Sequence, residues 1–197
     1  MAGDHGFAPD NGGFPPDELD EAGFREMMRP LFEDAPRFIA RLTEGRPYGS
    51  WEELFRRGTM LALDMPQEEQ LELMDAHPRI GAPPASVSSH SFVEQGYDRE
   101  QTTSEAESER QRIQTDLDRL NAAYETHNGF RYVIFVAGRP RSAIVPLLEA
   151  ALVADRDAER ERALRDVLAI ARYRAIATGL MAVDPVEPGT SPSEEVA

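Results

Sequence analysis

Apolar residues recur along this chain mainly at the three- and four-residue spacing of helices, and seldom at the alternate-residue spacing of half-buried strands. Phe38, Ile39 and Leu42 form a short amphipathic run that Asp34 and Pro36 open and Gly45 closes. Ser50 and Glu53 make a capping box ahead of Leu54 and Phe55. Pro66 begins a segment through Leu71, Leu73 and Met74 that runs directly into His77. Ile113, Leu117, Leu120 and Tyr124 share a further helical stripe, with Asn128-Gly129 as its stop. The last ordered element is expected from about Asp155 to Met181, with Leu164, Leu168, Ala171 and Ala175 on one face.

Two stretches break this pattern. Thr102 to Gln111 has almost no apolar face and reads equally as a solvent-facing helical extension or as a loop. The run from Phe130 to Gly138 is strand-like, yet it has no partner strand, so an extended, buried connector is expected. The ends, 1–16 and 183–197, are rich in Gly, Pro, Ser and acidic residues and are expected to be disordered tails around one domain over 17–182.

At 197 residues and 41% hydrophobic content, the chain can bury one good core. A formal net charge of −15 without any basic run argues against nucleic acid and anionic membrane surfaces as partners. There are no cysteines, which excludes disulfides, thiolate nucleophiles and Cys-based zinc sites. The N-terminus lacks a basic flank and an apolar stretch, and no later run approaches a membrane span, so a soluble cytoplasmic protein is expected.

The candidate chemistry starts at His77. Proline disfavours the helical conformation in the residue before it, so Pro78 should turn His77 out of its helix and into whatever the next loop encloses. Read alone, such a histidine is a capped helix end or an acid/base group. Ser91-Phe92-Val93-Glu94-Gln95 brings a hydroxyl, a carboxylate and an amide together, which suits a small, hydrogen-bond-rich ligand, although a lone Glu94 is equally a cap or a surface acid. Arg174 lies four residues after Ile170 and three before Ala177, on a partly apolar helical face, where a guanidinium either snorkels or meets an anion. His5, His77, His90 and His127 show no metal-ligand spacing, and no Walker loop, dinucleotide glycine loop or nucleophile elbow is present.

The order of motifs is distinctive: His-Pro-Arg-Ile-Gly at 77–81, Ser-x-x-Glu-Gln at 91–95, Leu-Asn-Ala-Ala-Tyr at 120–124, Asn-Gly-Phe-Arg-Tyr-Val-Ile-Phe-Val at 128–136 and Ile-Ala-Arg-Tyr-Arg at 170–174. Together they resemble the 2-oxo-4-hydroxy-4-carboxy-5-ureidoimidazoline (OHCU) decarboxylases of urate catabolism, over about Leu19 to Met181. The resemblance implies an all-α, single-domain helical bundle acting as a homodimer, without metal or cofactor. It implies that OHCU is decarboxylated to (S)-allantoin. It places the catalytic histidine, as proton donor, on His77; a carboxylate close to an imidazolium stabilises it, so Glu94 is expected to be its catalytic partner and to raise the pKa of His77. It places substrate contacts on Pro78, Ser91, Phe92, Val93, Glu94, Gln95, on the backbone of Val133, Ile134, Phe135 and Val136, and on Arg174. The competing readings are a catalytically silent binding or scaffold protein of the same pathway, and a metal-dependent hydrolase using His77 with His90 or His127.

Overall fold

A computed structural model of the chain describes residues 15–99 and 104–182. The expected tails, apart from Pro15 and Pro16, and Thr102 and Thr103 of the polar stretch lie outside those residues. Among the described residues there are eight α-helices and no strand. They are α1 (Glu21–Met28), α2 (Pro36–Glu44), α3 (Trp51–Asp64), α4 (Gln67–Ala76), α5 (Ser89–Glu94), α6 (Ser104–Asn128), α7 (Arg141–Ala151) and α8 (Arg156–Ala177). Among the described residues, no helix is long and apolar enough to cross a membrane.

The caps follow local chemistry. Ser50 accepts from the Glu53 N–H at 3.1 Å and starts α3, while the Glu53 carboxylate turns to Arg56. Gly45 and Gly129 end α2 and α6, the latter with φ +77°. Pro66 caps α4, and His77 leaves it with extended φ −75° and ψ 140°, as the following Pro78 requires. The polar stretch is helical from Ser104 onward and forms the first turns of α6. Residues 130–136 run without regular structure, with Phe130, Tyr132, Val133 and Val136 buried, as the connector expectation has it.

Three helices were not anticipated. Helix α7 lies in Arg-Pro-Arg-Ser-Ala-Ile-Val-Pro, where Pro140 precedes the first turn and Pro146 sits inside the helix, so the segment reads as punctuated loop. Ile144 and Leu148 carry it nonetheless, by burying themselves completely in the packing of α7 against α6. Helices α1 and α5 are eight and six residues long, too short for periodicity to reveal.

Helix α8 is the axis of the bundle and packs against both α3 and α4, burying Leu164, Val167, Leu168, Ala171 and Ala175. A second group of contacts pins the loop after α4. Asn121 and Gln114 of α6 donate to the carbonyls of Ile80 (2.9 Å) and Gly81 (2.8 Å), and Gln95 accepts from the Gly81 N–H at 2.7 Å. Arg131 donates to the carbonyls of Asp75 and His77. The loop that carries His77 and Pro78 is therefore held from three sides.

Gly81 is the narrowest point of that clamp. Its φ is +80°, and a Cβ there would stand 3.0 Å from the Leu117 side chain and 3.3 Å from the Gln114 amide nitrogen. Gly81→Ala should lower the unfolding free energy by about 1–2 kcal/mol from backbone conformation alone, measured by urea titration. A wild-type midpoint would mean that the loop yields easily.

Candidate active site

The extended residue 77, the short helix α5, the connector 132–138 and one face of α8 enclose a cavity of about 280 Å³. Val133 to Val136, Ile80 and Ile170 supply its apolar walls, and His77, Ser91, Glu94, Gln95 and Arg174 bring polar side chains to it.

The His77 ring is 3% exposed. Its Nδ1 lies 3.1 Å from the Leu73 carbonyl one helical turn back. A carbonyl oxygen can only accept, so Nδ1 carries the proton of the neutral ring and Nε2 carries the lone pair. Nε2 is buried and has no partner among the described residues, in a ring that lines the cavity. Burial and, next, the Arg174 charge push the His77 pKa down to about 4, against Glu33 and the Leu73 carbonyl, which raise it. The imidazole is thus neutral at neutral pH. This corrects the expectation that Glu94 keeps His77 protonated: the carboxylate that acts on the ring is Glu33, and it does not outweigh burial.

Glu94 is instead joined to Arg174. Arg174 is 1% exposed, and its Nε and Nη2 bind the two Glu94 oxygens at 2.7 Å each. Nη2 also reaches Ser91 Oγ (3.1 Å) and Glu33 Oε1 (2.8 Å), and Nη1 donates to the carbonyls of Pro30 (3.1 Å) and Leu31 (3.4 Å). A guanidinium has five N–H groups, and these contacts occupy all of them. Arg174 therefore lines the cavity with no donor left over, unlike the substrate clamp expected from sequence. Each Glu94 oxygen keeps room for one more donor.

Ser91 and Gln95 are similarly engaged. Ser91 Oγ donates to Glu33 at 2.7 Å, and the Gln95 amide bridges Gly81 N and Arg79 O. Pro78 and Val93 line the cavity, but Phe92 does not: its ring packs on Tyr97, centroids 5.4 Å apart. Along the connector, Arg162 binds the Val133 carbonyl (2.9 Å) and Asp166 accepts from the Phe135 N–H (3.2 Å). Arg139 takes the carbonyls of Phe135 and Val136. Successive peptide groups of an extended chain point in opposite directions, and the N–H groups of Ile134 and Val136 have no protein acceptor among the described residues.

Sequence reasoning missed several neighbours of this site. Ile170 and Tyr173, one turn and one residue before Arg174, line the cavity and could have been found from helical geometry. Tyr132 and Asp98 line it as well. Glu33 and Arg131 touch the site from outside; Arg131 falls within the 128–136 motif, but nothing in the local sequence gives either residue its role. No group of three or more His, Asp or Glu suited to a metal ion occurs among the described residues, and neither His90 nor His127 lines the cavity.

An all-helical fold around a small cavity, lined by a buried histidine and an arginine-held carboxylate, suits a compact polar molecule. The OHCU decarboxylase family model matches residues 17–176, and the chain belongs to that family. It is 29% identical over 157 residues to the uric acid degradation bifunctional protein PucL of Bacillus subtilis, covering 80% of this chain but 30% of that protein. It is 27% identical over 156 residues to the 2-oxo-4-hydroxy-4-carboxy-5-ureidoimidazoline decarboxylase of Haloferax volcanii, covering 79% of this chain and 89% of that one. The fold matches a crystal structure of OHCU decarboxylase in the presence of (S)-allantoin, with a TM-score of 0.58 at 19% identity over 78% of this chain and 96% of that chain.

A histidine that is neutral when folded takes up a proton in the unfolded chain near its ordinary pKa of 6.5. Stability is therefore lost as pH falls from about 6.5 toward 4. Between pH 7 and pH 5 the wild type should lose on the order of 2 kcal/mol more unfolding free energy than His77→Asn, measured by urea unfolding. Parallel curves for the two proteins would mean that the folded imidazole is already charged.

Proposed function

We propose that this protein is a cofactor-independent carboxy-lyase that converts OHCU to (S)-allantoin in urate degradation. The observation that carries the reading is the unpartnered His77 Nε2 in a cavity that also holds the Arg174–Glu94 pair. Family membership supplies the substrate.

The reaction must dispose of an electron pair and place a proton. When the carboxylate leaves as CO2, the pair moves into the ring toward the adjacent carbon–nitrogen double bond, whose nitrogen takes a proton from water. The neighbouring hydroxyl must then become a carbonyl, and the carbon that bears the ureido group must gain a hydrogen on one face. A neutral imidazole with its lone pair in the cavity is suited to receive the hydroxyl proton, and the resulting imidazolium is suited to deliver it to that carbon. His77 is thus acceptor first and donor second, with a net uptake of one proton from water. The substrate contains its own electron sink, so its chemistry does not call for a bound one.

We assign Glu94 to the ureido N–H groups, since its oxygens accept and its orientation is set by Arg174. The free N–H groups of Ile134 and Val136 suit the ring carbonyl and the developing oxyanion. Arg174 acts by holding Glu94. We also take the active species to be a cytoplasmic homodimer, in keeping with the family; light scattering that gave only the monomer mass would remove that part.

The test is the decay of freshly generated OHCU with and without protein, followed by circular dichroism of the product. Accelerated loss with an excess of the (S) enantiomer is expected; ligand binding without acceleration would indicate the silent binding protein instead. His77→Asn should lower the acceleration by about 10²- to 10⁴-fold. Arg174→Lys should be markedly impaired, because one ammonium cannot bind both Glu94 oxygens and the Pro30 and Leu31 carbonyls. Arg172→Lys, at a position that does not line the cavity, should stay within about threefold of wild type. Equal damage from both arginine changes would misplace Arg174.

A further inference from the structure

Glu33 lies in the turn between α1 and α2, with φ 49°, and is followed by Asp34 with φ 61°. Two successive non-glycine residues hold this left-handed conformation only when their surroundings enforce it, and such positions gather at functional sites. The surroundings here are those of the candidate active site. Glu33 Oε1 takes the hydroxyls of Ser88 (2.8 Å) and Ser91 (2.7 Å) and stands 2.8 Å from Arg174 Nη2. The Pro30 and Leu31 carbonyls of the same turn take Arg174 Nη1. One short turn thus grips the side of the guanidinium opposite Glu94, and it also grips the start of α5, the helix that carries Glu94.

Glu33 does not line the cavity. Its direct contacts are with Ser88, Ser91 and Arg174, and its charge also acts on His77 from a distance. Ser91 and Glu94 are one turn apart on α5, so the anchor of one sets the height and rotation of the other. Burial pushes the Glu33 carboxyl up, but Arg174 and the two serine hydroxyls outweigh it, so the group stays ionised and the grip persists at neutral pH.

We propose that Glu33 is a positioning residue for the decarboxylation: it fixes Ser91 and Arg174 so that Arg174 presents the Glu94 carboxylate to the substrate at one distance and angle. The proposal rests on the function assigned above. A group that orients the reacting complex without supplying general affinity affects kcat more than KM.

In Glu33→Ala, kcat on OHCU should fall at least about tenfold while KM rises less than about threefold. Glu33→Gln, whose amide oxygen can still accept from both the Ser88 and Ser91 hydroxyls, should be at least about threefold faster than Glu33→Ala. The double variant Glu33→Ala with Glu94→Gln should be no more than about threefold slower than Glu94→Gln alone, because both changes break the same arrangement. A smaller loss in Glu33→Ala, a Gln variant no faster than the Ala variant, or losses that multiply would each overturn the proposal. If Glu33→Ala fails to fold, Glu33→Asp takes its place with the same expectations, since it keeps the charge but withdraws the oxygen. Should the wild type not act on OHCU at all, the functional assignment fails separately. A crystal structure of the substituted protein then decides the role of Glu33: a displaced Arg174–Glu94 pair upholds it, and an unmoved pair refutes it.

Discussion

A guanidinium that is 1% exposed at the centre of a helical bundle must have every N–H matched, and much of this molecule is arranged around that requirement. Arg174 draws on three separated parts of the chain: the turn at 30–33, helix α5 with Ser91 and Glu94, and its own helix α8. A shift of the turn or of α5 would break hydrogen bonds to a buried guanidinium, and removing one partner of a buried ion pair commonly costs about 3–5 kcal/mol. The same ion pair that ties the bundle together therefore fixes the carboxylate that faces the cavity. Stability and orientation come from one set of contacts.

The rest of the cavity is organised from the same helix. Arg162, Asp166, Ile170 and Arg174 recur every fourth residue of α8 and so share a stripe. The first two hold the connector by its Val133 carbonyl and Phe135 N–H, the third is an apolar wall, and the fourth holds Glu94. His77 comes from the other side, on a loop clamped by α6 and Arg131. A buried imidazole, tied at Nδ1 and open at Nε2, in this way lines the same cavity as the carboxylate that Arg174 holds.

Much of this could be read in the chain, and the part that could not has a physical reason. The helix ends at Ser50, Pro66 and Gly129, and the extended exit at His77-Pro78, follow from local rules that a few adjacent residues satisfy by themselves. The connector was recognisable because an isolated apolar run has nowhere to pair. Helix α7 escaped because its prolines are local signals for a loop, whereas the burial that maintains it comes from α6. The protonation state of His77 escaped for a similar reason: it depends on depth of burial and on whether Arg174 or His77 claims Glu94, which spacing along the chain does not reveal. Glu33 is the plainest case, since the residues it serves lie more than fifty positions away.

The central claim is that Arg174 acts through Glu94 while His77 Nε2 meets the ligand, and a crystal structure with (S)-allantoin bound tests it most directly. The expected result is a ligand in the 280 Å³ cavity, with its ureido N–H groups on Glu94, a ring atom within hydrogen-bond distance of Nε2, and Arg174 still paired to both Glu94 oxygens. A ligand held by an Arg174 released from Glu94, or one bound away from Nε2, would contradict it.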